Sequence, residues 1–331
     1  AGSMANFSII AAKRILNAAA LILAVVILNF LLIHIAPGDI VDTIAGEMGG
    51  ISPELIAEIR ADYGLDRPLY EQLALYILKI LRGDLGHSFF YDVPVVDLIL
   101  DALPQTLLLV ITALSLALVI GTIFGVIAAR RPNSAFSHFI TVLSLIGFSA
   151  PVFWTGLMFL IAFASFIPLF PPAGMADLGL ESGSLDYYLD VLHHMVLPVV
   201  TLALIYLAFY SRLSRASMLD VLGSDYVRTA RAKGLSERVV VYKHALRNAL
   251  IPIVTIAGLQ FAQILSGAVL VEAVFAWPGL GTLALEAILR RDGPTILGIL
   301  FFSAMVVVIF NLLTDLTYNL IDPRIRLGSK E

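Results

Sequence analysis

The sequence predicts an all-α integral membrane protein with six transmembrane helices, and three observations support this fold class. Only 14% of the 331 residues are charged and 59% are hydrophobic, whereas soluble domains carry about 25% charged residues. Lys and Arg are concentrated in alternate connections between apolar segments. Six such segments approach or exceed the roughly 20 residues that a helix needs to cross a bilayer, namely 14–36, 103–129, 136–167, 195–211, 249–274 and 295–320.

The distribution of charge predicts the orientation of these spans. Fifteen of the 21 Lys and Arg residues lie at the two termini and in the connections after the second and fourth spans. Residues 37–102 instead contain twelve acids and four basic residues, and residues 168–194 contain four acids and no Lys or Arg. Because Lys and Arg are enriched on the cytoplasmic side of membrane proteins, both termini are expected to be cytoplasmic.

Two of the spans have unusual lengths. Segment 136–167 is too long for one straight perpendicular span, so we expect either a tilt or a kink at Pro151. Segment 195–211 is short and polar at its ends, and a separate short helix is expected over 184–192 on the outer side.

The rest of the chain is predicted to form one transmembrane domain, residues 4–331. The three residues before Met4, Ala1-Gly2-Ser3, resemble a cloning scar. Two connections are large: an outer, periplasmic insertion over 37–102 and a cytoplasmic loop over 211–247.

The outer insertion is expected to be helical rather than a seventh span. Ser52-Pro53-Glu54 is typical of a helix start, because a capping residue is followed by proline in the first turn. Apolar residues at helical spacing predict a second helix over 70–81, which ends near Gly83.

The cytoplasmic loop, 211–247, contains eight Lys and Arg residues and three acids. Ser224 or Asp225 can cap a short helix by accepting its free amide hydrogens. Gly234 can adopt the left-handed conformation that ends a helix. The pattern predicts a helix over about 225–233.

This short helix is expected to be joined to membrane helices on both sides, since Ser236 can start a second helix that runs into the fifth span. It carries Arg228, Arg231 and Lys233. Such a helix can lie in a groove on a soluble partner and pass the partner's motion to the spans. The simpler interpretation is that these charges only set the orientation in the membrane.

The residues of this helix resemble the EAA loop of ABC-importer permeases. The stretch Arg228-Thr229-Ala230-Arg231-Ala232-Lys233-Gly234 keeps the second alanine and the glycine of that pattern, but Arg228 and Thr229 replace its acid and first alanine, and Arg247 replaces a closing proline. Further stretches resemble the dipeptide, oligopeptide and nickel class of these permeases, namely Gly64–Gln72, Gly83–Ser88, Leu103–Leu107, Trp277–Gly281 and Asp322–Arg326. The arginine-rich loop is the usual form in that class.

The resemblance implies the B-type permease subunit of a type I ABC importer in the bacterial inner membrane. Its partners would be membrane lipid, a second related permease, two cytoplasmic ATPases and an outer substrate-binding protein, with no nucleic acid. The residues expected to couple it to the ATPases are Asp225, Arg228, Thr229, Ala230, Arg231, Lys233 and Gly234.

The sequence contains no G-x-x-x-x-G-K-[ST] motif. ATP and Mg²⁺ would therefore be bound by the partners, and this chain would have neither a cofactor nor an enzyme activity of its own. Members of such importers carry dipeptides, oligopeptides, nickel chelates, glutathione or sugars, and the cargo stays open.

Polar residues inside the spans have two interpretations. Gln260, Gln263 and Ser266 in the fifth span could line the path of the cargo, or they could form hydrogen bonds between helices. Glu272, near the outer end of the same span, could lie at the membrane interface or act in a gate. In the sixth span, helical spacing relates four polar residues that could brace the basic loop or simply pack at the interface: Asn311, Asp315, Tyr318 and Asp322.

No metal or catalytic site is predicted. His193 and His194 lie near Asp186 and Asp190, but adjacent histidines on a helix point in different directions, so an interfacial role for them is favoured. No Ser, His and Asp grouping has a spacing that indicates a protease. The main alternative function is an ion-coupled secondary carrier, which would require internal repeats and buried mid-membrane carboxylates. A purely structural scaffold is a further alternative, which leaves the short capped helix unexplained.

Overall fold

The computed structural model describes residues 2–35, 66–88 and 90–321, and these residues are helical apart from connections and one isolated bridge between His87 and Pro94. The helices are α1 (Gly2–Ile35), α2 (Leu69–Leu81), α3 (Val95–Arg130), α4 (Ala135–Ser149), α5 (Val152–Leu160), α6 (Leu185–Leu222), α7 (Asp225–Ala232), α8 (Glu237–Val239), α9 (Leu246–Phe275), α10 (Leu280–Leu289) and α11 (Gly293–Ile321). Short π-helical segments, Ile161–Phe166 and Val240–Ala245, follow α5 and α8.

Among the described residues, five helices are long and apolar enough to cross a membrane. Counting each of two sharply bent helix pairs as one span raises the number to seven. The six predicted spans fall within this range, and the all-α membrane fold class is confirmed.

The third predicted span is broken rather than merely kinked. Ala135–Gly147 and Val152–Phe166 meet at an angle of 105°, and Ala150 between them is extended (φ −83°, ψ 131°). The cause is Pro151, because the residue before a proline is sterically driven out of the helical conformation. Of the two expectations, a tilt or a kink at Pro151, the structure has the bend at Pro151.

The fourth predicted span was too short. Helix α6 runs without interruption over Leu185–Leu222, so the helix expected over 184–192 is its first turns. Ser184 caps it by accepting a hydrogen bond from the Tyr187 amide at 3.1 Å. Hydropathy detects only the apolar segment of a helix. The polar ends of α6 lie outside that segment, so the predicted span was shorter than the helix.

The helix predicted over 70–81 is confirmed. Helix α2 covers Leu69–Leu81, and Gly83 follows in the left-handed region (φ +78°). The expected helix start at Ser52-Pro53-Glu54 and the stretch Asp322–Arg326 lie outside the described residues.

The contacts group the chain into two compact units. The first comprises the described parts of Ala1–Leu100 together with Glu286–Leu312. In it α1 packs along α2, and Asn29 of α1 donates a hydrogen bond to the Leu297 carbonyl at 3.1 Å. Buried Asp292 accepts hydrogen bonds from the hydroxyls of Ser88 and Thr295, so residues distant in sequence are joined.

The second unit comprises Asp101–Leu285 with the described part of Leu313–Glu331. Helix α6 is its centre and packs against α4, α5 and α9. Two glycines of α3 allow close approach to α6. A Cβ on Gly121 would lie 2.8 Å from that of Tyr210, and one on Gly125 would meet the Ser211 carbonyl and Ser214.

Candidate functional site

Helix α7 lies where the sequence predicted a short helix, between Ser224 and Gly234. It covers Asp225–Ala232, and Gly234 adopts φ +76°, so the left-handed stop is confirmed. The predicted side-chain cap is wrong, because the Ser224 hydroxyl donates to the Val221 carbonyl instead of accepting from the helix. Asp225 occupies the first helical position, where a negative charge is favourable near the positive end of the helix dipole.

The inner face of α7 is anchored in an apolar cluster. Val227 is fully buried and Ala230 is buried beside it. They pack with residues from three long helices and the π-helical turn, namely Val126, Ala129, Met218, Val240, Val241, Ala245 and Ala249. The short helix is therefore attached to α3, α6 and α9 by burial of apolar surface.

Hydrogen bonds fix α7 to the segments that follow it. Asn248, near the start of α9, donates to the Tyr226 hydroxyl at 2.7 Å. Arg231 makes a bidentate ion pair with Glu237 of α8, with Nη2–Oε1 at 2.9 Å and Nε–Oε2 at 3.2 Å. Hydrogen bonding to Arg231 lowers the pKa of Glu237, and the same pairing raises the pKa of Arg231. Arg231 thus joins α7 to α8.

The outer face of α7 presents exposed charge. Arg228, Thr229 and Lys233 are all exposed. The Arg228 side chain is 72% exposed although it contacts Asp225 at 3.4 Å. This face is a candidate docking surface.

The polar residues of the fifth span do not share one environment. Gln260 is partly buried, and its Oε1 accepts no hydrogen bond within the described part of the chain. Gln263, one turn along α9, is exposed, and the side chain of Ser266 is outside the described set. A hydrogen-bonded contact of Gln260 Oε1 with another helix is therefore absent among the described residues, while the exposure of Gln263 is compatible with a lining role.

A carboxylate near the C-terminal end of α9 organises the turn that follows it. Glu272 is completely buried, and its Oε2 accepts the Gly281 amide at 2.6 Å. The turn is also bonded to the start of the second predicted span. Trp277 Nε1 donates to the Gln105 carbonyl at 3.0 Å, and the Leu280 amide donates to the Thr106 hydroxyl at 2.8 Å. Two stretches that carry the family resemblance are thus in direct contact, and the carboxylate of Glu272 is enclosed by the turn.

Sequence comparison identifies the family. Residues 121–327 match the binding-protein-dependent transport system inner membrane component, and residues 4–110 match the N-terminal membrane component of the same systems. The chain belongs to this family. It is therefore a membrane permease of an ABC importer and not the importer's ATPase.

Curated relatives match this permease along almost its whole length. It is 39% identical over 324 residues to the dipeptide transport system permease protein DppB of Escherichia coli (strain K12), covering 92% of this chain and 94% of the relative. It is 40% identical over 316 residues to the di/tripeptide transport system permease protein DppB of Pseudomonas aeruginosa, covering 91% and 94%. A putative peptide transport system permease protein of Brucella abortus is 39% identical over 314 residues, covering 95% and 98%.

A solved structure supports the fold. The permease aligns with a chain of the MetNI methionine ABC transporter, solved in inward-facing conformations, with a TM-score of 0.54 and 17% identity, covering 68% of this chain and 96% of the other. At that identity the match establishes the type I importer fold and nothing about cargo. Membership of the family implies ATPase and substrate-binding partners for this bacterial membrane permease.

Several residues of the site were missed in the sequence. Helix α7 is held in place by Val227, Tyr226, Asn248 and Glu237. The sequence pattern indicates only one of these contacts, because the apolar residues Val227 and Ala230 lie three residues apart on one helical face. The pairs Tyr226–Asn248 and Arg231–Glu237 join different helices, so no periodicity marks them.

Proposed function

We propose that this permease imports small peptides and that α7 is the element through which ATPase subunits drive it. The observation that carries the coupling role is the two-sided character of α7. Val227 and Ala230 are buried with residues of three long helices, whereas Arg228 and Lys233 are exposed. A helix attached in this way moves with the spans when a partner pushes its outer face.

The proposed importer contains this chain, a second related permease, two cytoplasmic ATPases that bind ATP and Mg²⁺, and an outer substrate-binding protein. The basic loop and both termini lie on the cytoplasmic side, in agreement with the positive-inside rule. Gln260, Gln263 and Ser266 are proposed to face the path of the cargo. Relatives described as dipeptide and di/tripeptide permeases support a peptide cargo of about two or three residues.

The test is reconstitution of the complete importer in proteoliposomes, with the ATPases and binding protein encoded beside the permease. We expect ATP-dependent uptake of a labelled dipeptide, which an excess of unlabelled dipeptide abolishes. Uptake of a metal chelate or a sugar, with no uptake of any peptide, would contradict the peptide cargo and leave the permease role intact.

Coupling is tested with the double variant Arg228→Glu and Lys233→Glu. If the outer face of α7 docks on an ATPase, the variant should co-purify with less ATPase, and substrate should no longer stimulate ATP hydrolysis. Arg131→Glu is the control, since it removes an exposed positive charge from the same predicted side of the membrane without altering α7. Equal loss in Arg131→Glu would mean that the charges act only on topology. Normal coupling in the double variant would refute the docking role.

A further inference from the structure

Three potential metal ligands converge where the connection before α6 meets that helix. Asp177 comes from the connection, and Asp190 and His194 are one turn apart on α6. One ligand atom from each residue lies within 4.8 Å of the others. The His194 side chain is only 3% exposed, that of Asp190 is 16% exposed, and that of Asp177 is 77% exposed.

Hydrogen bonding defines which nitrogen of His194 is available. Its Nδ1 lies 3.0 Å from the Asp190 backbone carbonyl and 3.4 Å from Asp190 Oδ2, and both oxygens can only accept, so Nδ1 carries the hydrogen. In the neutral ring Nε2 then holds a lone pair. That lone pair faces Asp177 Oδ1 at 3.7 Å, which is too long for a hydrogen bond. Two acceptors facing each other repel unless a cation lies between them.

The carboxylates add a charge argument. Two aspartates and a neutral imidazole carry a net charge of −2, and a proton on His194 would reduce it only to −1. A divalent cation would neutralise the group completely. Asp190 is already oriented, because its Oδ2 accepts the Asp177 amide at 2.6 Å, and this bond also brings the Asp177 backbone close to the site.

We propose that Asp177, Asp190 and His194 bind a divalent transition-metal ion of the zinc type. One imidazole nitrogen and two carboxylate oxygens, with water in the fourth position, form a ligand set that zinc accepts. Bond lengths of about 2.0–2.2 Å place tetrahedral ligand atoms roughly 3.4 Å apart, so ligand atoms that now lie within 4.8 Å of one another must approach by up to about 1.4 Å. The exposed Asp177 side chain can supply that movement by rotation.

A bound ion would attach the connection before α6 to the membrane helices. Three residues before Asp177, the Gly174 amide donates to the carbonyl of Phe275, the last residue of α9, at 2.9 Å. His193 is directed elsewhere and contacts the Leu169 carbonyl at 2.8 Å. The ion would therefore complete a set of attachments that fix this connection to both α6 and the end of α9. The inference is independent of the cargo and of the role of α7.

The experiment uses the full chain in detergent, with its affinity tag removed and treated with a chelator, and titrates it with ZnCl₂ by calorimetry. We expect saturable binding of one equivalent. Asp177→Asn and His194→Gln should each weaken zinc binding at least about ten-fold, since changes even in outer-shell groups cost 10–100-fold. Asp186→Asn is the matched control. It removes an exposed carboxylate from the first turn of α6, about 12 Å along the helix from His194, and should bind zinc as wild type does.

Two further measurements keep the result decisive. X-ray absorption at the zinc edge should show only nitrogen and oxygen neighbours at about 2.0–2.2 Å. Hydrogen exchange over 168–184 should slow on addition of zinc in wild type and not in Asp177→Asn. The proposal is overturned if wild type shows no saturable binding, or if all three variants bind zinc equally. Normal folding of the variants is checked by their elution as monodisperse protein.

Discussion

Replacing Val227 with alanine is expected to loosen α7 from the permease. The side chain is fully buried in the apolar cluster that α7 shares with α3, α6 and α9. The change removes two methyl groups, worth about 0.8 kcal/mol each in lost burial, and leaves a small cavity that adds to the cost. The total is about 2 kcal/mol, which corresponds to a roughly 30-fold increase in the local opening equilibrium of α7.

Hydrogen exchange measures this opening directly. The amides of 228–233 should exchange roughly 30-fold faster in Val227→Ala than in wild type, while amides in the centre of α6 keep their protection. In the reconstituted importer the same variant should hydrolyse ATP with weaker stimulation by substrate. Val239→Ala is the matched control, because Val239 lies on neighbouring α8 and is 36% exposed. Unchanged protection of α7 in Val227→Ala would refute the anchoring argument.

Three other substitutions test separate features. Gly234→Leu should uncouple transport from ATP hydrolysis, because a left-handed conformation costs a residue with a Cβ roughly 1–2 kcal/mol; no neighbouring atom obstructs the new side chain, so the effect comes from the backbone. Gly223→Leu is the control and should be milder, since Gly223 has φ −80°. Equal activity of the two variants in ATP-driven uptake would contradict this. Gly125→Ala should lower the thermal unfolding midpoint in detergent through about 1–3 kcal/mol of overpacking between α3 and α6, and a midpoint equal to that of wild type would disprove the close contact. Glu272→Ala should lower the free energy of unfolding by about 1–3 kcal/mol, because it leaves the buried Gly281 amide without its acceptor. Glu272→Gln keeps an oxygen at that position and should have a higher unfolding midpoint than Glu272→Ala. Identical midpoints of the two variants would argue against the hydrogen bond from Gly281.

Local signals explain why α7 was predictable. Its stop depends on one residue, Gly234, whose conformational freedom is visible in the sequence. The break at Pro151 was predictable for the same reason, since proline restricts its own neighbour. The cap at Ser224 was not, because a serine hydroxyl can either accept from the helix amides or donate to a carbonyl, and here it donates to the Val221 carbonyl.

Contacts between distant segments were beyond sequence reasoning. Ser88 and Asp292 are 204 residues apart and hydrogen-bonded, yet each is an ordinary polar residue in its own segment. His194 gave a partial signal through Asp190 one turn away, but the third member of the cluster proved to be Asp177 rather than Asp186. The connection that carries Asp177 has no period, so its register against α6 depends on tertiary contacts alone.

Hydrogen bonds join helix α9 to α7 near one end and to the Gly281 turn near the other. Near its N-terminal end Asn248 is bonded to Tyr226 of α7, and near its C-terminal end Glu272 accepts a hydrogen bond from the Gly281 turn. A 30-residue helix is about 45 Å long, so under the proposed coupling role a displacement of α7 would reach the Gly281 turn through one continuous element. Tyr226→Phe removes the bond to Asn248 and keeps the aromatic ring. If α9 carries the motion, this variant should dock ATPase normally and lose part of its stimulation by substrate. Full stimulation would show that the apolar cluster around Val227 transmits the motion without this bond.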